Sequence, residues 1–342
     1  MSDDTIAVYF VASPFHYISA EAIAKQFESN AKQVLIFIKK GEYQNNIDSN
    51  FWDDIFYMPW PRHDPIPGLF GRMRRIKENL YLVHSKLKNA SKIHIHAHEY
   101  DNEAINYFIN YLPKKIQNAE IKFRILPDGV ANLSLHPLSP YKYVWQCLRK
   151  ARRLFLKDMN YKCFWGDRFG TQADFVDRIY IPNGFSHQYD KEKVYFFSIM
   201  PSQTTKKENK EPKALVIGQY LCNVKKLSIR NEKIIKTKIY NWLKNNNIHN
   251  IDYKQHPRDT RRELWMEGYS ILKINEPLEL YMSKNHYDYV LGINSTALLT
   301  ARLIYPQDTR VISFGLDMVK QRKTKNNNRL LEQMKKMNIE LI

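Results

Sequence analysis

Residues 6–16 read IAVYFVASPFH. An apolar run that short cannot cross a bilayer, and its end at Ser13-Pro14 marks it as a first buried strand of a mostly parallel sheet. Acidic Asp3 and Asp4 precede it without a basic cluster, so no signal peptide is expected. Outward from this run, short apolar segments keep alternating with longer ones. Residues 33–38, 54–58, 92–98 and 120–126 are strand candidates, and 19–27, 69–87 and 102–111 carry apolar residues at helical spacing. A basic helix is predicted over 141–156, with Trp145, Leu148 and Phe155 on one side, followed by a strand over 178–181. Such alternation is the mark of βαβ units, because parallel strands need a long crossover.

Residues 200–212 are rich in Ser, Gln, Thr, Lys and Glu and read as an interdomain linker. A second series follows, with strands over 214–218, 251–255, 269–274, 289–292 and 310–314. Its helices are 228–245, 278–284, 295–304 and a basic C-terminal segment. The expected fold class is therefore α/β, with two Rossmann-like doubly wound domains, 1–199 and 213–342, facing across a cleft.

The composition agrees with two packed domains. The chain has 342 residues, 44% of them hydrophobic and 13% aromatic, with only 11 Gly and 15 Pro, which excludes disordered and collagen-like classes. Cys147, Cys163 and Cys222 form no CxxC pair, so neither a disulfide framework nor a cysteine zinc site is expected, and the cytoplasm fits best. The net charge of +18 attracts anions. Its clusters at 72–77, 149–153, 206–213 and 320–335 come with no RNP-like, zinc-finger or helix-turn-helix signature. No nucleic acid partner is expected; an anionic membrane surface or a phosphorylated substrate is.

Ligands of open α/β sheets bind beyond the carboxyl ends of strands, so the segments after each strand are the place to search. Four stand out: Ser13-Pro14-Phe15-His16, Asp128-Gly129, His256-Pro257 and Asn294-Ser295-Thr296. Asp128-Gly129 is a plain turn by default. At the edge of a central strand, however, the carboxylate can accept a proton from an attacking hydroxyl, and the glycine lets a ligand come close. His256 can be a structural residue at a strand exit or, turned by Pro257, a group that stabilises a departing phosphate. Ser295 and Thr296 open a helix, which makes either a simple cap or an anion site. His136-Pro137 competes with His256 but ends no strand.

His94, His96 and His98, beside Glu99, alternate along one strand and face one way. They resemble a metal site, yet same-face residues of one strand stand in a row and do not converge. His98 is the one expected near a substrate. No Asp-X-Asp occurs in the chain, so no metal and no cofactor are expected.

The order of these segments resembles that of bacterial sialyltransferases, in particular the capsular polysialyltransferase and lipooligosaccharide sialyltransferase groups. Those share an acidic-acidic-Gly motif, a His-Pro motif and a Ser/Thr motif on a GT-B fold. The resemblance implies Asp128 as general base, His256 as general acid or phosphate ligand, and Ser295 and Thr296 as phosphate ligands. It implies that Gly218-Gln219, with Pro257 and Asn294, lie on the donor side and that Glu279 approaches the nucleoside. Ser13, Pro14, His16, Gly129 and His98 fall on the acceptor side. The chain departs from the pattern at Pro127, which replaces the first acidic residue. The implied reaction is inverting transfer of sialic acid or another nonulosonic acid from a CMP donor to a glycan or glycolipid of capsule or lipopolysaccharide. The competing readings are another GT-B donor (CMP-pseudaminic acid, CMP-Kdo, a UDP- or GDP-sugar) or a polyanion-binding protein without chemistry.

Overall fold

The computed structural model describes residues 4–39, 49–129, 134–199, 211–320 and 325–342. The chain forms two compact units, one of Met1–Pro182 with His187–Phe197, the other of Asn183–Ser186 with Ser198–Ile342. Most of the linker expected over 200–212 falls outside the described residues.

The first unit runs β1 (Thr5–Val11), α1 (Pro14–Phe27), β2 (Lys32–Phe37), β3 (Asp54–Tyr57), α2 (Gly71–Leu87), β4 (Lys92–Ala97), α3 (Glu103–Lys115), β5 (Glu120–Ile125), α4 (Pro140–Ala151), β6 (Val176–Pro182) and β7 (Val194–Phe197). Its seven strands lie in the order β3-β2-β1-β4-β5-β6-β7, every pairing parallel. Ala7 to Val11 are all shut off from solvent. Successive strand residues point to opposite faces, so both faces of the sheet are covered at β1.

Two boundaries and one strand of this unit correct the sequence reading. α1 starts at Pro14 and not near 19, because the Ser13 hydroxyl accepts from the His16 N–H at 3.2 Å and Pro14 takes the first helical position. That brings His16 into a first helical turn. The basic helix over 141–156 ends at Ala151 and gives way to a 3-10 turn, Arg152–Leu154. β7 was not expected, its four residues following a charged stretch too closely to read as a strand.

The second unit runs β8 (Lys213–Ile217), α5 (Ile229–Asn245), β9 (Asn250–Lys254), β10 (Ser270–Ile271), α6 (Leu278–Lys284), β11 (Tyr289–Gly292), α7 (Thr296–Ile304), β12 (Arg310–Ser313), α8 (Lys325–Lys336) and β13 (Glu340–Leu341). Its sheet order is β10-β9-β8-β11-β12-β13, again parallel throughout. Asn183–Ser186 joins it through Gln333, whose amide accepts from the Ser186 N–H at 2.8 Å and donates to the Gly184 carbonyl at 2.8 Å. The two orders are alike. In each, the direction of winding reverses beside the first strand, between β1 and β4 and between β8 and β11, and a crevice opens at such a reversal.

Candidate active site

In the first unit, adjacent strands β1, β4 and β5 deliver their following residues to the same sheet edge. His16 stands in the first turn after β1, His98 follows β4, and Asp128 follows β5. His16 Nε2 lies 2.9 Å from Asp128 Oδ1. The Ala12 N–H donates to His16 Nδ1 at 3.3 Å, so that nitrogen is the acceptor, and Nε2 carries the proton that it donates to Asp128. The histidine side chain is 2% exposed and that of Asp128 38%, which makes the carboxylate the group that reaches out and the imidazole the one behind it. Burial pushes the Asp128 carboxyl up, but the hydrogen bond from His16 and the fields of His98 and Arg168 bring it below its ordinary value. Asp128 is therefore ionised at neutral pH, as a general base must be.

The ring of His98 packs 4.7 Å from that of His16, and burial, then His16, pushes it down to about 3. Its Nδ1 is buried without a hydrogen-bond partner among the described residues. Ser13 and Pro14 act through α1, as cap and first residue. Gly129 adopts φ +56°, the left-handed region that glycine enters without strain.

Arg168 is a group that sequence reading missed. It ion-pairs with Glu99 at 3.8 Å and adds positive potential at Asp128 and His98. It lies on a loop far along the chain, following no strand, and no local signal marks it.

The histidine row divides into separate roles. His94 Nδ1 lies 2.8 Å from Glu28. His96 donates from Nδ1 to the Val8 carbonyl at 3.1 Å, stacks on Tyr9 and is pushed by burial to about 3. Glu28 also pairs with buried Arg124. His94 and His96 thus belong to an internal polar cluster, and only His98 stands with Asp128. His136 is held elsewhere in this unit, its N–H donating to Asp167 at 2.7 Å and its ring edge-on to Phe169.

In the second unit the residues after β8, β9 and β11 meet at the other reversal. The Gln219 side chain, after β8, accepts from the Ile293 and Asn294 N–H groups at 3.1 and 2.9 Å. Glu263 accepts from the Leu221 and Cys222 N–H groups at 2.9 Å each. Two buried side chains thus brace three loops. A Cβ at Gly218 would lie 2.5 Å from the Tyr253 hydroxyl, so its glycine is a packing requirement.

His256, half-buried, accepts at Nδ1 from the Arg258 N–H at 3.1 Å and stacks on Tyr220 at 5.9 Å. That leaves the proton on Nε2, which is a donor. Burial pushes the imidazole below its ordinary value. Pro257 is exposed beside it. Ser295 caps α7, accepting from the Ala297 N–H at 3.2 Å, while Thr296 is exposed as the first helical residue. Both hydroxyls retain a proton to give to an anion. Glu279 stands in the first turn of α6, its carboxyl pushed up by burial.

Residues 176–313 match the family model described as Alpha-2,8-polysialyltransferase (POLYST). No curated protein matches the chain in sequence. Among solved structures it is similar to the alpha/beta-galactoside alpha-2,3-sialyltransferase of the luminous marine bacterium Photobacterium phosphoreum, with a TM-score of 0.58 at 13% identity over 99% of this chain and 98% of that one. It is also similar to the 2,6-sialyltransferase of Photobacterium sp. JT-ISH-224 in a ternary complex with donor product CMP and acceptor substrate lactose. There the TM-score is 0.51 at 12% identity over 99% of this chain and 78% of that one.

Two parallel α/β units of this kind give the chain a GT-B-like fold, and its residues 176–313 carry the match to the polysialyltransferase model. The family match and the two sialyltransferase structures agree with the resemblance of the sequence to bacterial sialyltransferases.

Proposed function

We propose that the protein transfers sialic acid, or a related nonulosonic acid, from its CMP-activated form to a glycan or glycolipid acceptor, with inversion and without a metal. Asp128 takes the proton of the acceptor hydroxyl as its oxygen bonds to the anomeric carbon. The bond from that carbon to the phosphate oxygen breaks, and the electron pair leaves with CMP. His256 donates from Nε2 to the departing phosphate, while Ser295, Thr296 and the start of α7 hold it. A monophosphate leaving group asks for less neutralisation than a diphosphate, and one imidazole with a helix terminus can supply it. Asn294 and Gln219 shape that terminus; Glu279 is assigned to the nucleoside. Arg168 offers a cation on the base side.

The observation that carries this reading is the second unit's reversal point. His256 and Ser295-Thr296 both fall within 176–313, and they follow β9 and β11, the two strands that flank β8 in one sheet. The metal-free mechanism is supported by the lack of an Asp-X-Asp clamp in the sequence and by the engagement of His94 and His96 with Glu28 and Val8. The excess of cations supports work at an anionic membrane face in the cytoplasm, on a capsule or lipopolysaccharide acceptor.

The test is release of CMP from CMP-sialic acid, followed with and without acceptor and with EDTA. Acceptor-dependent release that survives EDTA is expected. Turnover abolished by EDTA and restored by Mg²⁺ or Mn²⁺ would refute the metal-free mechanism, and turnover with UDP- or GDP-sugars alone would refute the donor.

A further inference from the structure

α4 has an apolar stripe that folding leaves in water. Tyr141, Val144, Trp145 and Leu148 recur at helical spacing, and Leu154 and Phe155 continue beyond the helix end. All six are exposed, from 45% at Trp145 to 89% at Phe155. Leu69 and Phe70, just before α2, are exposed at 86% and 79%. Phe70 also adopts φ +56°, a costly conformation for an aromatic residue, at a helix start with no side-chain cap.

Phe155 from the end of the first segment and Leu69 and Phe70 from the second line one open groove of about 710 Å³, together with Met73, Leu156 and Met159. Arg74, Lys77, Arg152 and Lys157 stand in the same lining. Lys77 and Lys157 make no ion pair among the described residues, nor do Lys150 in the last turn of α4 and Arg153 in the 3-10 turn. Large apolar side chains bordered by unpaired cations are what an anionic bilayer surface accommodates, the rings and leucines entering the acyl boundary and the cations meeting phosphate. Nucleic acid or an acidic protein would match the cations and leave the apolar stripe wet. A second copy of this chain would cover the stripe but bring cations against cations. Among the described residues no helix is long and apolar enough to cross a membrane, so the stripe suits a segment lying in the interface.

We propose that α4 with its 3-10 extension and the segment before α2 form a docking surface for anionic phospholipid, the groove between that extension and the segment before α2 taking an acyl chain. The inference deepens the membrane-side reading above and stands apart from the donor site, none of whose residues it uses.

The experiment is co-sedimentation of the full chain with vesicles of phosphatidylcholine alone or mixed with phosphatidylglycerol, with CMP affinity measured calorimetrically on the same preparations. Binding to the anionic vesicles only, weakened by salt, is expected. The double variant Leu148→Glu/Phe155→Glu changes exposed positions and should lower partitioning about tenfold or more, with melting temperature and CMP affinity unchanged. Lys77→Glu/Lys157→Glu should lower it by about fivefold or more per charge. Equal binding to both vesicle types, or wild-type binding by either variant, overturns the proposal. So does a dimer that Phe155→Glu dissociates while vesicles recruit nothing. Loss of CMP affinity in the unmodified protein would instead count against the donor reading.

Discussion

The two units share a strand order and a reversal point, yet they furnish that point differently. In the first, the edge beyond β1, β4 and β5 carries titratable side chains packed on one another: Asp128, His16 and His98, with Arg168 in range. In the second, the edge beyond β9, β8 and β11 carries braced backbone, two hydroxyls and one imidazole whose proton faces away from its own loop. A proton acceptor must have its charge state set, which takes neighbours that shift it. A phosphate site needs donors held in place, which takes bracing. On the proposed mechanism the same topology serves proton transfer in one unit and anion binding in the other.

The largest effect should come from setting one unit's key residue against the other's. Asp128→Asn keeps size and hydrogen bonding but cannot take a proton, so turnover should fall by roughly 10²–10⁴ with CMP affinity almost unchanged. His256→Ala should lower turnover and weaken CMP binding as well, because the imidazole meets the phosphate in ground and transition states alike. Initial rates and calorimetry on both variants read the contrast. If Asp128→Asn keeps near-normal turnover, or if His136→Ala and not His256→Ala weakens CMP binding, the assignment of roles fails.

His16 sharpens the first half of that contrast. His16→Phe keeps a ring in the buried site and deletes the hydrogen bond to Asp128, worth about 1.5–3 kcal/mol when one partner is charged. That bond lowers the Asp128 carboxyl, so its loss raises it. The base is active when ionised, and the acid limb of the rate profile should therefore move to higher pH. His16→Gln, which can still donate, should move it less. A purely structural histidine would change the rate or the melting temperature and leave the limb in place.

In the second unit, Thr296→Ala should weaken CMP binding without altering stability, by about 1–3 kcal/mol for a bond to charged phosphate. Ser295→Ala should cost binding and also about 1 kcal/mol of stability, since Ser295 caps α7 as well. Calorimetry together with thermal unfolding separates the two. Identical behaviour of both variants would mean that the hydroxyls do not divide cap and ligand as the geometry has them.

The architecture was legible because both sheets are built from apolar runs separated by helical periodicity, a pattern that burial on two faces imposes. Asp128, His256 and Ser295-Thr296 could be found because each closely follows a strand, where the sheet opens. His16 was legible as part of a strand exit but not as the partner of Asp128, since that contact spans residues 112 positions apart. Arg168 and the bracing by Gln219 and Glu263 depend on loops that come together only in the fold. The histidine row misled for the opposite reason: its spacing is a real local regularity, but its partners, Glu28 and Val8, come from elsewhere in the chain.

The smallest expected effects concern glycines, and they again divide the two units. Gly129 needs its conformation: φ is +56°, yet an added Cβ would come no nearer than 3.9 Å to Phe15. Gly218 needs its space, for the same Cβ would stand 2.5 Å from the Tyr253 hydroxyl and 2.9 Å from the Lys254 carbonyl, and the latter is backbone that cannot swing away. Gly292 needs neither, its nearest neighbour being Leu298 at an ordinary 3.5 Å. Gly218→Ala should therefore cost about 1–3 kcal/mol through overpacking, Gly129→Ala about 1 kcal/mol through backbone strain, and Gly292→Ala within about 0.5 kcal/mol of nothing. Thermal unfolding of the full chain ranks the three. CMP affinity measured alongside decides what Gly218 is for: a stable Gly218→Ala protein that binds CMP poorly would make this glycine a place where the ligand approaches backbone, and would take the packing role away from it.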